Sequence, residues 1–131
     1  MSGVPGSQAE WCRVPFADTN CFGIPDDVPD EKALDTSDVL CTSLPAVTRS
    51  KVTDGETVAI WGRPNRHPRR AQIKGAKRLI GIDLVPERLA LAQKLYGIDV
   101  IDRREVKDVA KRLKEMAPEG IEVCIEAAGF R

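Results

Sequence analysis

Two short apolar runs, "ETVAIWG" ending at Gly62 and "RLIGID" ending at Asp83, carry the residues whose spacing could do chemistry. A glycine closing one buried strand and a carboxylate about 20 residues on, closing the next, are what a dinucleotide site needs. The glycine lets backbone approach a pyrophosphate, and the acid accepts hydrogen bonds from ribose hydroxyls. Between them, residues 63–70 read "RPNRHPRR". That segment has no second or third glycine and two prolines that disfavour a helix, and five of its eight residues are cationic or can become so. As written, the phosphate cradle is absent and a helix is missing.

The genetic code offers one account of that segment. Arg-Pro-Asn-Arg-His can be encoded so that reading one base later gives Gly-Pro-Ile-Gly-Ile. Extending the offset permits Ala-Gly-Pro-Ile-Gly-Ile-Leu-Ala-Ala after Gly62, which is Gly-x-Gly-x-x-Gly opening an apolar helix. Two expectations stand side by side, an out-of-frame reading and a genuine basic loop with an anionic partner.

Other candidate groups are sparse. His67 is the sole histidine and has no companion ligand in the sequence. Cys12, Cys21, Cys41 and Cys124 form no C-x-x-C pair, so free thiols are expected rather than a zinc knuckle or a redox dithiol.

The elements that must position Gly62 and Asp83 follow from periodicity. From residue 51 the pattern alternates: strands over 57–62 and 78–83, an amphipathic helix over 85–96, a strand over 99–101, a helix over 106–116 and a strand over 121–127. Strand and helix in alternation with short connections predict a parallel α/β sheet. Residues 1–35, rich in Gly, Pro and Asp, read as turns and short strands around 10–16 and 21–24. A helix is expected from about Asp30, continuing through 37–46 until Pro45 disturbs it. With 131 residues the chain suffices for one modest domain. Twenty basic and twenty acidic side chains cancel, which gives no reason to expect nucleic acid or an anionic membrane as a partner. No apolar run approaches the roughly 20 residues of a membrane span, and the N-terminus lacks the features of a signal peptide, so the cytoplasm is expected.

Taken together, "GVPGSQAEWCRVPFADTNCFGIPDDVPDEKAL", "SDVLCTS", "GETVAIWG", "GAKRLIGIDLVPERLALAQKLYGIDVID" and "IEVCIEAAGFR" resemble the zinc-type medium-chain alcohol dehydrogenases, in the branch that includes glutathione-independent formaldehyde dehydrogenases. The resemblance implies an incomplete Rossmann-like parallel sheet, residues 36–131, with its first βα turn disrupted at 63–70. Before it, residues 1–35 would be a β-rich remnant of a GroES-like catalytic domain. It implies NAD and zinc as the family's cofactors, an alcohol or aldehyde as substrate, and homo-oligomers. Neither cofactor is expected to bind this chain well, since most zinc ligands have no counterpart in it, and neither catalysis nor the family's assembly is expected of it alone. A non-catalytic nucleotide- or anion-binding or interaction module is the alternative.

By the same resemblance Asp38 matches a zinc ligand, although a helix-capping turn at 36–38 is the plainer role and one carboxylate cannot hold the metal. Thr42 matches a residue at the nicotinamide end of the cofactor. Asp83 matches the ribose-binding acid, which favours NAD over NADP; a solvated acid at a strand end is the alternative. Arg88 matches a basic position beside that ribose or simply pairs with nearby acids. Gly62 stands where the first glycine of the βα turn belongs, and Ala127 matches a strand end whose backbone runs beside the cofactor; close packing of small residues is the alternative there.

Overall fold

The computed structural model describes residues 8–34, 36–64 and 67–129. The chain divides into two compact units, Met1–Leu34 and Asp35–Arg131.

In the first unit the short strands expected around 10–16 and 21–24 do not form among the described residues. There are two helical turns instead, α1 (Ala17–Asn20) and α2 (Asp30–Ala33), and neither buries a residue. The physical reason is the lack of partners. A strand needs a neighbouring ladder and a packed face, whereas Trp11, Phe16 and Phe22 are 84–90% exposed, and Pro15, Pro25 and Pro29 interrupt any run. Nor does the helix begun at Asp30 continue into 37–46; it ends at Ala33.

The second unit is built on four parallel strands, β1 (Thr57–Trp61), β2 (Arg78–Asp83), β3 (Asp99–Asp102) and β4 (Val123–Glu126), in the order β3-β2-β1-β4. Ile60 pairs with Gly81 on one side and Ile125 on the other, and Ile82 pairs with Ile101. β1 and β2 are nearly continuous apolar runs because parallel strands are covered on both faces. Val58, Ile60, Leu79 and Ile125 form one core with Val47 of α3 (Val39–Arg49), Ala71 of α4 (Pro68–Ile73) and Ala92 of α5 (Pro86–Tyr96). On the opposite face Ala59, Ile80, Ile82 and Ile101 pack under Val109, Leu113 and Met116 of α6 (Val109–Met116). The expected α/β class with a parallel sheet is therefore what forms.

Two expectations about proline are overturned. Pro45 does not end its helix; α3 runs through it to Arg49. The proline lies on the exposed side, so the lost hydrogen bond frees a carbonyl where water can reach it. In the crossover, the missing helix is present in shortened form as α4. Pro68 is its first residue, where an absent N–H costs nothing. Pro64 and Pro68 are both fully buried. A Cβ at Gly81 would stand 2.7 Å from Pro64 Cβ and 3.2 Å from Ile98 Cδ1, so the loop packs directly against the bare backbone of β2.

Candidate functional site

The strand order reverses between β1 and β4, and in open parallel sheets ligands bind beyond the carboxyl ends of the strands at such a point. A cleft of about 360 Å³ opens there, within the range of small-molecule sites. Its walls include Asp38 just before α3 and Thr42 within it, Arg63 and His67 from the crossover, and residues 126–129 at and beyond the end of β4. Of the residues singled out in the sequence, Asp38, Thr42 and Ala127 meet in this cleft. Asp83 and Arg88 lie together at the end of β2, outside it, and Gly62 lies behind the wall, against the backbone of Ala128.

Gly62 is required twice over. Its φ is +74°, and a Cβ there would lie 2.6 Å from the backbone of Ala128, so the ends of β1 and β4 touch through bare backbone. Its N–H donates to Ile82 O at 2.8 Å, and Ala127 N donates to Trp61 O at 2.7 Å. These two bonds lock the ends of β1, β2 and β4 together. Arg63 follows in the same left-handed region, with φ 46°.

Asp83 is 7% exposed, which corrects the alternative of a solvated strand-end acid. Its Oδ1 accepts from Leu84 N at 2.7 Å and Val85 N at 3.1 Å, and its Oδ2 accepts from Arg63 N at 3.0 Å. The Arg88 guanidinium stands 3.8 Å from the same Oδ2. A carboxylate offers about four acceptor positions, and three are filled by backbone. The acid therefore ties the crossover turn to β2 and opens α5, and little of its capacity remains for a ligand's hydroxyls.

Asp38 occupies the position before α3 without capping it. Its Oδ1 accepts the Thr42 hydroxyl at 3.2 Å, one helical turn on. The two residues assigned to metal and cofactor are thus bonded to each other. Glu126 was not signalled by the sequence reading: its Oε1 accepts from Ala128 N at 2.7 Å and Gly129 N at 3.2 Å. The acid two residues ahead of a small pair in "EAAG" was the available clue.

These observations decide what the residues could hold. Zinc does not fit: among the described residues no three His, Cys, Asp or Glu side chains come together to bind a metal. A nicotinamide dinucleotide fits in part. The glycine backbone contact and the Asp83–Arg88 pair are in place at the strand ends. The pyrophosphate cradle is not, since the N–H groups of Gly62 and Arg63 both point back into β2 and Pro64 has none.

No family model matches the chain. It is 52% identical over its whole length to a zinc-type alcohol dehydrogenase-like protein of Schizosaccharomyces pombe, covering 32% of that protein. It is 34% identical over 98% of its length to an uncharacterised zinc-type alcohol dehydrogenase-like protein of Bacillus subtilis, covering 35% of it. Among solved structures, an alcohol dehydrogenase from Thermus sp. ATN1 superposes with a TM-score of 0.84 at 30% identity, over 95% of this chain and 37% of the other. The chain spans about a third of the length of the proteins it matches.

Proposed function

The chain belongs to the zinc-type alcohol dehydrogenase family, and from that premise we propose that it is the nucleotide-facing part of an NAD-linked dehydrogenase that does not turn over an alcohol by itself. The observation that carries this reading is the cleft at the β1–β4 reversal, with the close backbone contact of Gly62 and Ala128 at the strand ends and Asp83 at the end of β2. When bound, the nicotinamide ring would accept a hydride from an alcohol or return it to an aldehyde.

This chain's own residues do the positioning. Gly62 admits the cofactor close to the strand ends, Asp83 holds the turn beneath it, and Thr42 with Ala127 lines the nicotinamide side. Asp38 is a metal ligand only in company that the described residues do not supply. With the backbone donors of the pyrophosphate cradle turned away, affinity for NAD is weak. The substrate class is a small alcohol or aldehyde, and the cytoplasm is the compartment we assign. No helix among the described residues is long and apolar enough to cross a membrane.

An amide-resolved NMR titration with NAD tests the reading. Saturable shifts at Gly62, Leu84, Val85 and Ala127 are expected at millimolar ligand, without zinc-dependent oxidation of any alcohol. Shifts confined to residues remote from the strand ends, or turnover with zinc, would overturn it.

A further inference from the structure

Arg63 is the one permanently charged cation among the described residues lining the cleft. It sits at φ 46°, a backbone conformation that residues with side chains rarely adopt. Its N–H, a donor that a glycine-rich turn would offer to a phosphate, is committed to Asp83. Its side chain is exposed, and among the described residues it makes no hydrogen bond or ion pair. The two carboxylates of the cleft keep their charge but make no ion pair with Arg63: Asp38 accepts from the Thr42 hydroxyl and Glu126 from the amides of Ala128 and Gly129. A guanidinium with no side-chain partner among the described residues, at the edge of a cleft, offers a planar fork of donors suited to phosphate oxygens.

We propose that the cleft binds a small phosphate-bearing molecule through the Arg63 side chain, phosphate recognition having passed from backbone amides to a guanidinium. The proposal rests on reading this cleft as the nucleotide face of the sheet and adds the ligand class. A dinucleotide needs donors spread along an extended pyrophosphate. A compact phosphate ester or diphosphate needs only one fork and the cleft beside it.

The test is an NMR titration of the full chain with inorganic pyrophosphate at low ionic strength, observing the Arg63 Nε–H and the amides of 127–129. Saturable shifts at both, weakened several-fold by added salt as exposed charges are screened, are expected. The shifts at 127–129 should vanish in Arg63→Gln and persist in Arg112→Gln, whose guanidinium is exposed on α6 outside the cleft. Arg63→Gly, which suits the positive φ, should keep or raise the melting temperature while losing the shifts, so loss of binding cannot be misread as loss of fold. Binding unchanged in Arg63→Gln, or equal shifts with acetate at matched ionic strength, would overturn the assignment. Failure of the dinucleotide reading shows separately: NAD would then leave Leu84 and Val85 unshifted whatever pyrophosphate does at Arg63.

Discussion

At the scale of single residues, the ends of β1 and β2 are set by contacts that admit no substitution by size. Gly62→Ala places a methyl 2.6 Å from the Ala128 backbone at a φ of +74°. Steric conflict and left-handed strain together should cost roughly 2–4 kcal/mol in urea unfolding; a loss under about 0.5 kcal/mol would show that the strand ends are not in contact. Asp83→Ala strips the acceptor from three backbone N–H groups, at an expected cost of about 2–4 kcal/mol. A change within error would mean that water replaces the carboxylate freely. Asp102 differs, its carboxylate being partly covered and paired with the half-exposed Arg104. Hydrogen bonds from the Arg104 guanidinium, joined by its N–H, hold the Asp102 carboxyl below the usual carboxylate range. Because the folded value is the lowered one, the stabilisation is complete above the ordinary value of about 3.9 and disappears as pH falls through the folded value. Wild type and Asp102→Asn should therefore differ in denaturation midpoint near neutrality and converge in acid; a gap that widens in acid would reverse the sign.

At the scale of elements, the prolines explain both what was legible and what was not. The strands over 78–83 and 57–62 were readable because buried parallel strands are written as apolar, β-branched runs, and the structure agrees within a residue. Helix α5 followed from periodicity in the same way, while α6, expected over 106–116, starts three residues later at Val109, where Asp108 caps it. Pro45 and Pro68 misled, since a proline's effect depends on where water and the helix start lie, which local sequence does not state. Pro45→Ala should restore a donor to the Cys41 carbonyl and raise stability by about 1–2 kcal/mol, after the entropy returned to the unfolded chain. Destabilisation would show that the proline is needed for the path of α3. The site was legible only in outline. Gly62 and Asp83 could be picked out by type and spacing, but the capture of Asp83 by three amides, the Asp38–Thr42 bond and the Glu126 turn depend on atoms brought together across 20 or more residues or on rotamers that pattern does not encode. Residues 1–35 misled for a different reason: their apolar residues imply packing partners that the described part of that unit does not provide.

At the scale of the whole molecule, a parallel sheet with a glycine contact at its reversal point is joined to an incomplete set of ligand donors. The fold agrees with the zinc-type alcohol dehydrogenases that the chain matches, while the crossover holds buried prolines and an exposed arginine where the proposed nucleotide site would need a phosphate cradle. That makes the crossover the place to change the molecule's behaviour. Replacing residues 63–71 with Ala-Gly-Pro-Ile-Gly-Ile-Leu-Ala-Ala should return backbone amides to the cleft and tighten dinucleotide binding by tenfold or more, about 1.4 kcal/mol. The most direct measurement is calorimetric titration of NAD into the unaltered chain. A dissociation constant of about 1 mM or weaker is expected, corresponding to no more than about 4 kcal/mol of binding free energy. Micromolar affinity would contradict it, because the amides of Gly62 and Arg63 would then have to serve the ligand and not β2.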